Sequence, residues 1–173
     1  MLGNLISIQT LDEYTKNESN YVDSRSTSCY SEICINELLV NAQGSSETGA
    51  VGSSNWVAGE WVELFNNGQN TVDLTGWSLK DNMNREMELD TSRIVEPQGA
   101  TDMLIPAGGY LVVARNGDGS GCGFCLSNNG ATTTRSASLV DQNGNSVHVV
   151  TWSYSVSEGV SLIENSTDSS ADW

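Results

Sequence analysis

Basic residues are few in this chain. Lys16 and Lys80 are its lysines, and with five arginines they face 22 acidic residues, a formal net charge of -15. Such a surface repels phosphate backbones and anionic headgroups. Arg25, Arg85, Arg93, Arg115 and Arg135 are scattered singly, so there is no basic stripe and no nucleic-acid partner is expected. His148 is the single histidine, which excludes two-histidine metal motifs and leaves a Ser-His-Asp arrangement one possible base. It lies in the alternating run Val147-His148-Val149-Val150-Thr151-Trp152, where an outward-facing sheet residue is expected. There is no Gly-x-Ser-x-Gly elbow, Walker loop or zinc-protease helix, and Gly117-Asp118-Gly119-Ser120-Gly121 lacks the strand-to-helix setting that would cradle phosphate. The expectation is that the chain is not an enzyme. No apolar run approaches the roughly 20 residues that cross a bilayer, so no membrane insertion is expected. Met1 to Ile8 lacks a charged n-region and a long h-region, so an export signal is expected to be already removed or never there.

Prolines number two, glycines seventeen, and no stretch sustains a 3.6-residue period. The pattern that is there has a period of two. Gly59-Glu60-Trp61-Val62-Glu63-Leu64-Phe65-Asn66 and Val72-Asp73-Leu74-Thr75-Gly76-Trp77-Ser78-Leu79-Lys80-Asp81 read as neighbouring strands, with Val62 and Leu64, then Trp77 and Leu79, two apart. The length suits one all-β domain. Residues 1–31 read as a leader with a possible extra strand and a polar linker, and 32–173 as the domain. Expected core residues are Trp61, Val62, Leu64, Trp77, Leu79, Tyr110 and Val112, with Trp77 the keystone because Gly76 lets its indole swing inward. Gly108-Gly109 would supply positive φ before Tyr110, and Asn143-Gly144 signals a hairpin. Residues 82–101, with Met83, Met87, Leu89 and Ile94, are less regular and leave room for a short strand.

These segments resemble, in order, the lamin tail domain family. Ile35-Asn36-Glu37-Leu38 looks like its opening strand. Ile105-Pro106-Ala107-Gly108-Gly109-Tyr110-Leu111-Val112-Val113 looks like its central turn and strand. Leu139-Val140-Asp141-Gln142-Asn143-Gly144 looks like a later strand and hairpin turn, and Gly159-Val160-Ser161-Leu162 with Trp173 like its closing segment. The resemblance implies an immunoglobulin-like antiparallel β-sandwich and a binding or scaffolding role, with a protein partner or self-association.

Cys29, Cys34, Cys122 and Cys125 form two short clusters and allow three pairings. Disulfides are preferred over a zinc site, whose clusters would stand unusually far apart, and over free thiols. Disulfides place the chain outside the cell or on its surface, and the sequons at Asn17 and Asn165 permit glycosylation there. Glu37, Glu60 and Glu63 sit among apolar neighbours and read as strand-edge acids capped by backbone or tyrosine donors rather than as a carboxylate cluster. No cofactor is expected. Calcium is the lesser alternative at the loops that open on Asp81 and Asp141, whose residues are also the favoured turn formers. Two further functions compete: a self-assembling surface filament subunit that donates Leu5-Ile6-Ser7-Ile8-Gln9-Thr10-Leu11 as a strand, and an accessory targeting domain of a larger secreted hydrolase.

Overall fold

The computed structural model describes residues 31–42, 59–115, 124–126, 134–152, 155–157, 159 and 161–163. Among them run β1 (Ile33–Leu39), β2 (Trp61–Asn66), β3 (Val72–Asp73), β4 (Ser78–Asp81), β5 (Glu86–Glu88), β6 (Ile94–Glu96), β7 (Leu104–Ile105), β8 (Tyr110–Ala114), β9 (Arg135–Val140), β10 (Ser146–Trp152) and β11 (Ser161–Ile163). One sheet has the order β11-β1-β2-β8-β6, a second β10-β9-β4-β5, and β3 pairs with β7 in a small ribbon. Every pairing is antiparallel. The one helical turn among the described residues is the 3-10 segment Thr91–Arg93, capped by the Asp90 carboxylate. The architecture is an all-β, immunoglobulin-like sandwich. Residues 82–101 hold two short strands, β5 and β6, where the sequence suggested one.

Alternation explains the layering. Along β2, Val62, Leu64 and Asn66 share one side and Trp61, Glu63 and Phe65 the other. Between the sheets, Ile33, Ile35, Leu38, Val62, Leu64, Leu111 and Val113 pack with Leu79, Leu139, Val150 and Trp152. A bulge in β1 between Ile35 and Glu37 lets Leu38 turn inward as Ile33 and Ile35 do, although the step is odd. The five-stranded sheet has a second apolar cluster, Leu39, Ala42, Trp61, Val95, Val112 and Ala114. Trp61 and Val112 thus belong to that cluster rather than to the inter-sheet core of Val62, Leu64 and Leu79. Tyr110 is half-buried and stacks on Phe65, ring centroids 4.6 Å apart.

Trp77 is not the keystone. It is partly buried and packs against the core, one residue before β4 begins. Among the described residues, the tryptophan inside the inter-sheet core is Trp152, 2% exposed. The paired glycines after Pro106 also divide their roles. Gly108 has φ 69, the left-handed region, whereas at Gly109 an added Cβ would stand 2.7 Å from Pro106 Cγ.

Asn66 joins these parts. It is fully buried, and its side-chain amide donates to Asn70 O at 2.7 Å and Ile105 O at 2.8 Å while its Oδ1 accepts from Gly68 N at 2.8 Å. Its backbone N donates to Gly109 O at 3.0 Å and its O accepts from Gly108 N at 2.9 Å. One residue therefore fastens the end of β2, the loop after it, β7 and the Pro106–Gly109 turn.

Trp152→Ala should lower stability by about 3–5 kcal/mol, since a large side chain leaves a cavity in a close-packed core. Trp77→Ala should cost less than about half of that, having less area to return to water. Equal losses in denaturant melts followed by circular dichroism would contradict the placement of the two indoles.

Candidate functional site

Buried charge concentrates where the chain crosses from β8 in one sheet to β9 in the other. Phe124 and Leu126 belong to the inter-sheet core, and Cys125 between them is 9% exposed. Two acids reach this segment from different strands. Asp81 ends β4, and its Oδ2 accepts from Cys125 N at 3.2 Å and from Arg85 Nε at 2.5 Å, while Oδ1 accepts from Met83 N at 2.8 Å and Arg85 N at 3.0 Å. Glu60, just before β2 and 1% exposed, accepts from Leu126 N at 3.2 Å and lies 3.6 Å from Arg115 Nη1. Arg115 is itself buried; its backbone N donates to Glu60 O at 3.2 Å, and its O accepts from Arg93 Nη1 at 2.6 Å. A buried carboxylate persists when cations and backbone donors replace its lost water, and both acids have such partners. The arrangement clasps the Phe124–Leu126 backbone onto the sandwich.

The three glutamates singled out in the sequence do not form one cluster. Glu60 has the parity of Val62 and Leu64, on the core side; Glu63 has the parity of Trp61, on the other. Glu63 stands directly opposite Glu37 across β1 and β2, and its Oε1 accepts from Asn36 Nδ2 at 2.6 Å. Glu37 and Glu63 are 5% and 9% exposed. Leu126 N–H and the Arg115 guanidinium serve Glu60, and the Asn36 amide serves Glu63.

Cys34, 1% exposed, and Cys125 are both disulfide-bonded. Cys29 and Cys122 lie outside the described residues, so the pairing stays open. Among the described residues no three His, Cys, Asp or Glu side chains converge to hold a metal ion. In the two loops considered for calcium the leading aspartates already serve the backbone. Asp141 Oδ1 accepts from Asn143 N and Asn145 N, both at 2.8 Å, and its Oδ2 from Asn145 Nδ2 at 3.0 Å. Gly144, at φ 82, closes that hairpin with its N–H on Asp141 O.

His148 does not take the outward position expected of it. It is half-buried, and its Nδ1 accepts the Ile35 N–H at 3.2 Å, a link from β10 to β1 across the two sheets. It has the parity of the buried Val150 and Trp152, whereas Val149 and Thr151 are exposed, so the strand's own alternation carries the ring inward. That phase was legible in the run itself. Asn66 and Asp81 were also missed as buried fasteners, although Asn66 was legible as a polar residue in phase with Val62 and Leu64.

Several exposed acids are held below their ordinary carboxylate range by local donors. The Thr75 hydroxyl and then its N–H act on Asp73, and the Asn145 side chain and then its N–H act on Asp141. The Ser78 hydroxyl acts on Glu86. At Asp90, burial pushes upward but is outweighed by the Ser92 hydroxyl and N–H and by Arg93.

The fold and the clasp describe an immunoglobulin-like sandwich whose described interior acids have structural partners. The lamin tail domain family model matches residues 26–154, and the chain belongs to that family. No curated protein matches it. Among solved structures, the archaellum periplasmic stator protein complex FlaF and FlaG from Sulfolobus acidocaldarius is similar at a TM-score of 0.37 and 11% identity, over 78% of this chain and 100% of that one. A likeness at that score carries no argument about this chain's role.

Asp81→Ala should cost about 1–3 kcal/mol, the scale for leaving a buried N–H such as that of Cys125 without its acceptor, and should speed amide exchange at Cys125 more than in β1. A loss under about 1 kcal/mol would remove the clasp. For Asp141, whose folded pKa is lowered, the stabilisation is present above the unfolded value of about 4 and disappears as pH falls through the folded one. The stability difference between the parent chain and Asp141→Asn should therefore be largest near neutrality and shrink below about pH 4 in denaturant melts. A difference that grows on acidification would have the wrong sign.

Proposed function

We propose that the chain is a non-enzymatic module, working outside the cell or on its surface, that binds or scaffolds protein. Membership of the lamin tail domain family supports this. The observation that carries it is the use of the buried polar side chains. Asn66, Asp81, Glu60 and His148 each bond to backbone groups of another segment, so the residue types that could do proton transfer are engaged in holding the fold. The net charge of -15 suits a hydrated surface that rejects nucleic acid and anionic lipid. The disulfides at Cys34 and Cys125 suit an oxidising compartment.

A second reading, a subunit that assembles by strand exchange, is favoured by β10, a seven-residue strand at the end of its sheet. The donor segment considered for it, Leu5 to Leu11, lies outside the described residues.

Two measurements test the surface module. Mass spectrometry without reductant should find Cys29, Cys34, Cys122 and Cys125 all oxidised and no bound metal; four alkylatable thiols or stoichiometric zinc would overturn the extracellular assignment. Labelling intact source cells with a membrane-impermeant amine reagent should modify the protein, and labelling only after lysis would place it inside.

A further inference from the structure

Four strands end the two large sheets among the described residues, and they are not equally protected. β5 is three residues long with exposed Glu86 and Glu88. β6 is also three residues and runs into Pro97, and β11 is three residues. Short length, charge and proline are the ordinary ways in which sheet edges are blunted. β10 has none of them. It is seven residues long, Ser-Val-His-Val-Val-Thr-Trp, without Lys, Pro, Asp or Glu, and Val149 is 50% exposed with Thr151 exposed beside it.

The chain enters the domain at this strand. Ser31 Oγ donates to Val147 O at 2.6 Å, and four residues later Ile35 N donates to His148 Nδ1. Thirty residues precede Ser31, and the uncharged, largely apolar Leu5-Ile6-Ser7-Ile8-Gln9-Thr10-Leu11 among them is long enough to match β10. Residues 12–30 are polar and serine-rich in sequence, and nineteen residues of coil would span roughly 25 Å. That is close to the roughly 23 Å of a seven-residue strand, so the segment can return to the strand beside which the chain enters. Tethering gives it an effective concentration on the order of millimolar, whereas a second copy must approach against a like charge of -15.

We infer that the outer edge of β10 is a strand-acceptor site and that its occupant is this chain's own Leu5–Leu11 segment. The inference deepens the module reading proposed above and rests on it: a self-occupied edge is one that a partner's strand, or another copy's, has to displace to bind.

Hydrogen exchange at β10 tests this in the full chain, in a variant lacking residues 1–12, and in the full-length double variant Ile6→Asp, Ile8→Asp, each with its native mass measured in parallel. Both variants should raise exchange at Val149–Trp152 by about tenfold or more while every chain remains monomeric and exchange in β2 and β8 is unchanged. Unchanged exchange at β10 would overturn the inference, as would deprotection of β5, β6 or β11 instead. A parent dimer that both variants convert to monomer would overturn the own-chain occupant and assign the edge to a second copy. None of these outcomes alters the cysteine oxidation or the cell-surface labelling on which the module reading stands.

Discussion

Asn66 closes β2 on the core side of its sheet, where a polar side chain is costly unless each of its groups is bonded. Both of its amide protons and its oxygen are, along with its backbone N–H and carbonyl. Its partners lie on the loop that follows β2, on β7 and on the turn into β8, so the position of the β3–β7 ribbon and the register of β8 against β2 are referred to one buried amide. At the far end of β2 the relation is repeated with charge, where Glu60 takes the N–H of Leu126 and pairs with Arg115. Asp81 holds the adjacent Cys125 from the other sheet. Apolar burial rejects a one-residue slip, but a two-residue slip keeps every side chain on its face, and fasteners of this kind discriminate against it.

The period-two runs made the fold readable, since a residue's face follows from its parity once a strand is recognised. Val62, Leu64 and Leu79 fell where parity puts them. What parity could not reveal was the bulge in β1, where one extra residue of no distinctive type brings Leu38 inward with Ile35. The inward position of His148, in phase with Val150 and Trp152, was open to prediction. Trp77 shares the parity of Leu79 but stands one residue before β4 and is only partly buried. Asn66 and Glu60 were open to prediction as polar residues in apolar phase. Their partners were not, because Ile105 and Leu126 are far along the chain.

The distribution of charge separates interior from exterior in a way that bears on function. Inside, carboxylates meet guanidiniums and backbone donors at fixed places. Outside, aspartates such as Asp73, Asp90 and Asp141 each close a turn by accepting from the backbone two residues on, so much of the acidity that might suggest cation binding organises turns. A net charge of -15 opposes the approach of like-charged copies. Among the described sheet edges, β10 is the long one without a charged residue.

Asn66→Asp tests the fastening role of buried polar groups most directly. It keeps size and shape but replaces the two protons that face Asn70 O and Ile105 O with an oxygen. At neutral pH the variant should lose about 3 kcal/mol or more, the cost of a buried charge with its donors removed. Part of that loss should be recovered as pH falls toward about 5 and the carboxyl regains a proton to donate. A variant as stable as its parent at neutral pH, or one that weakens further on mild acidification, would contradict the central place given to Asn66.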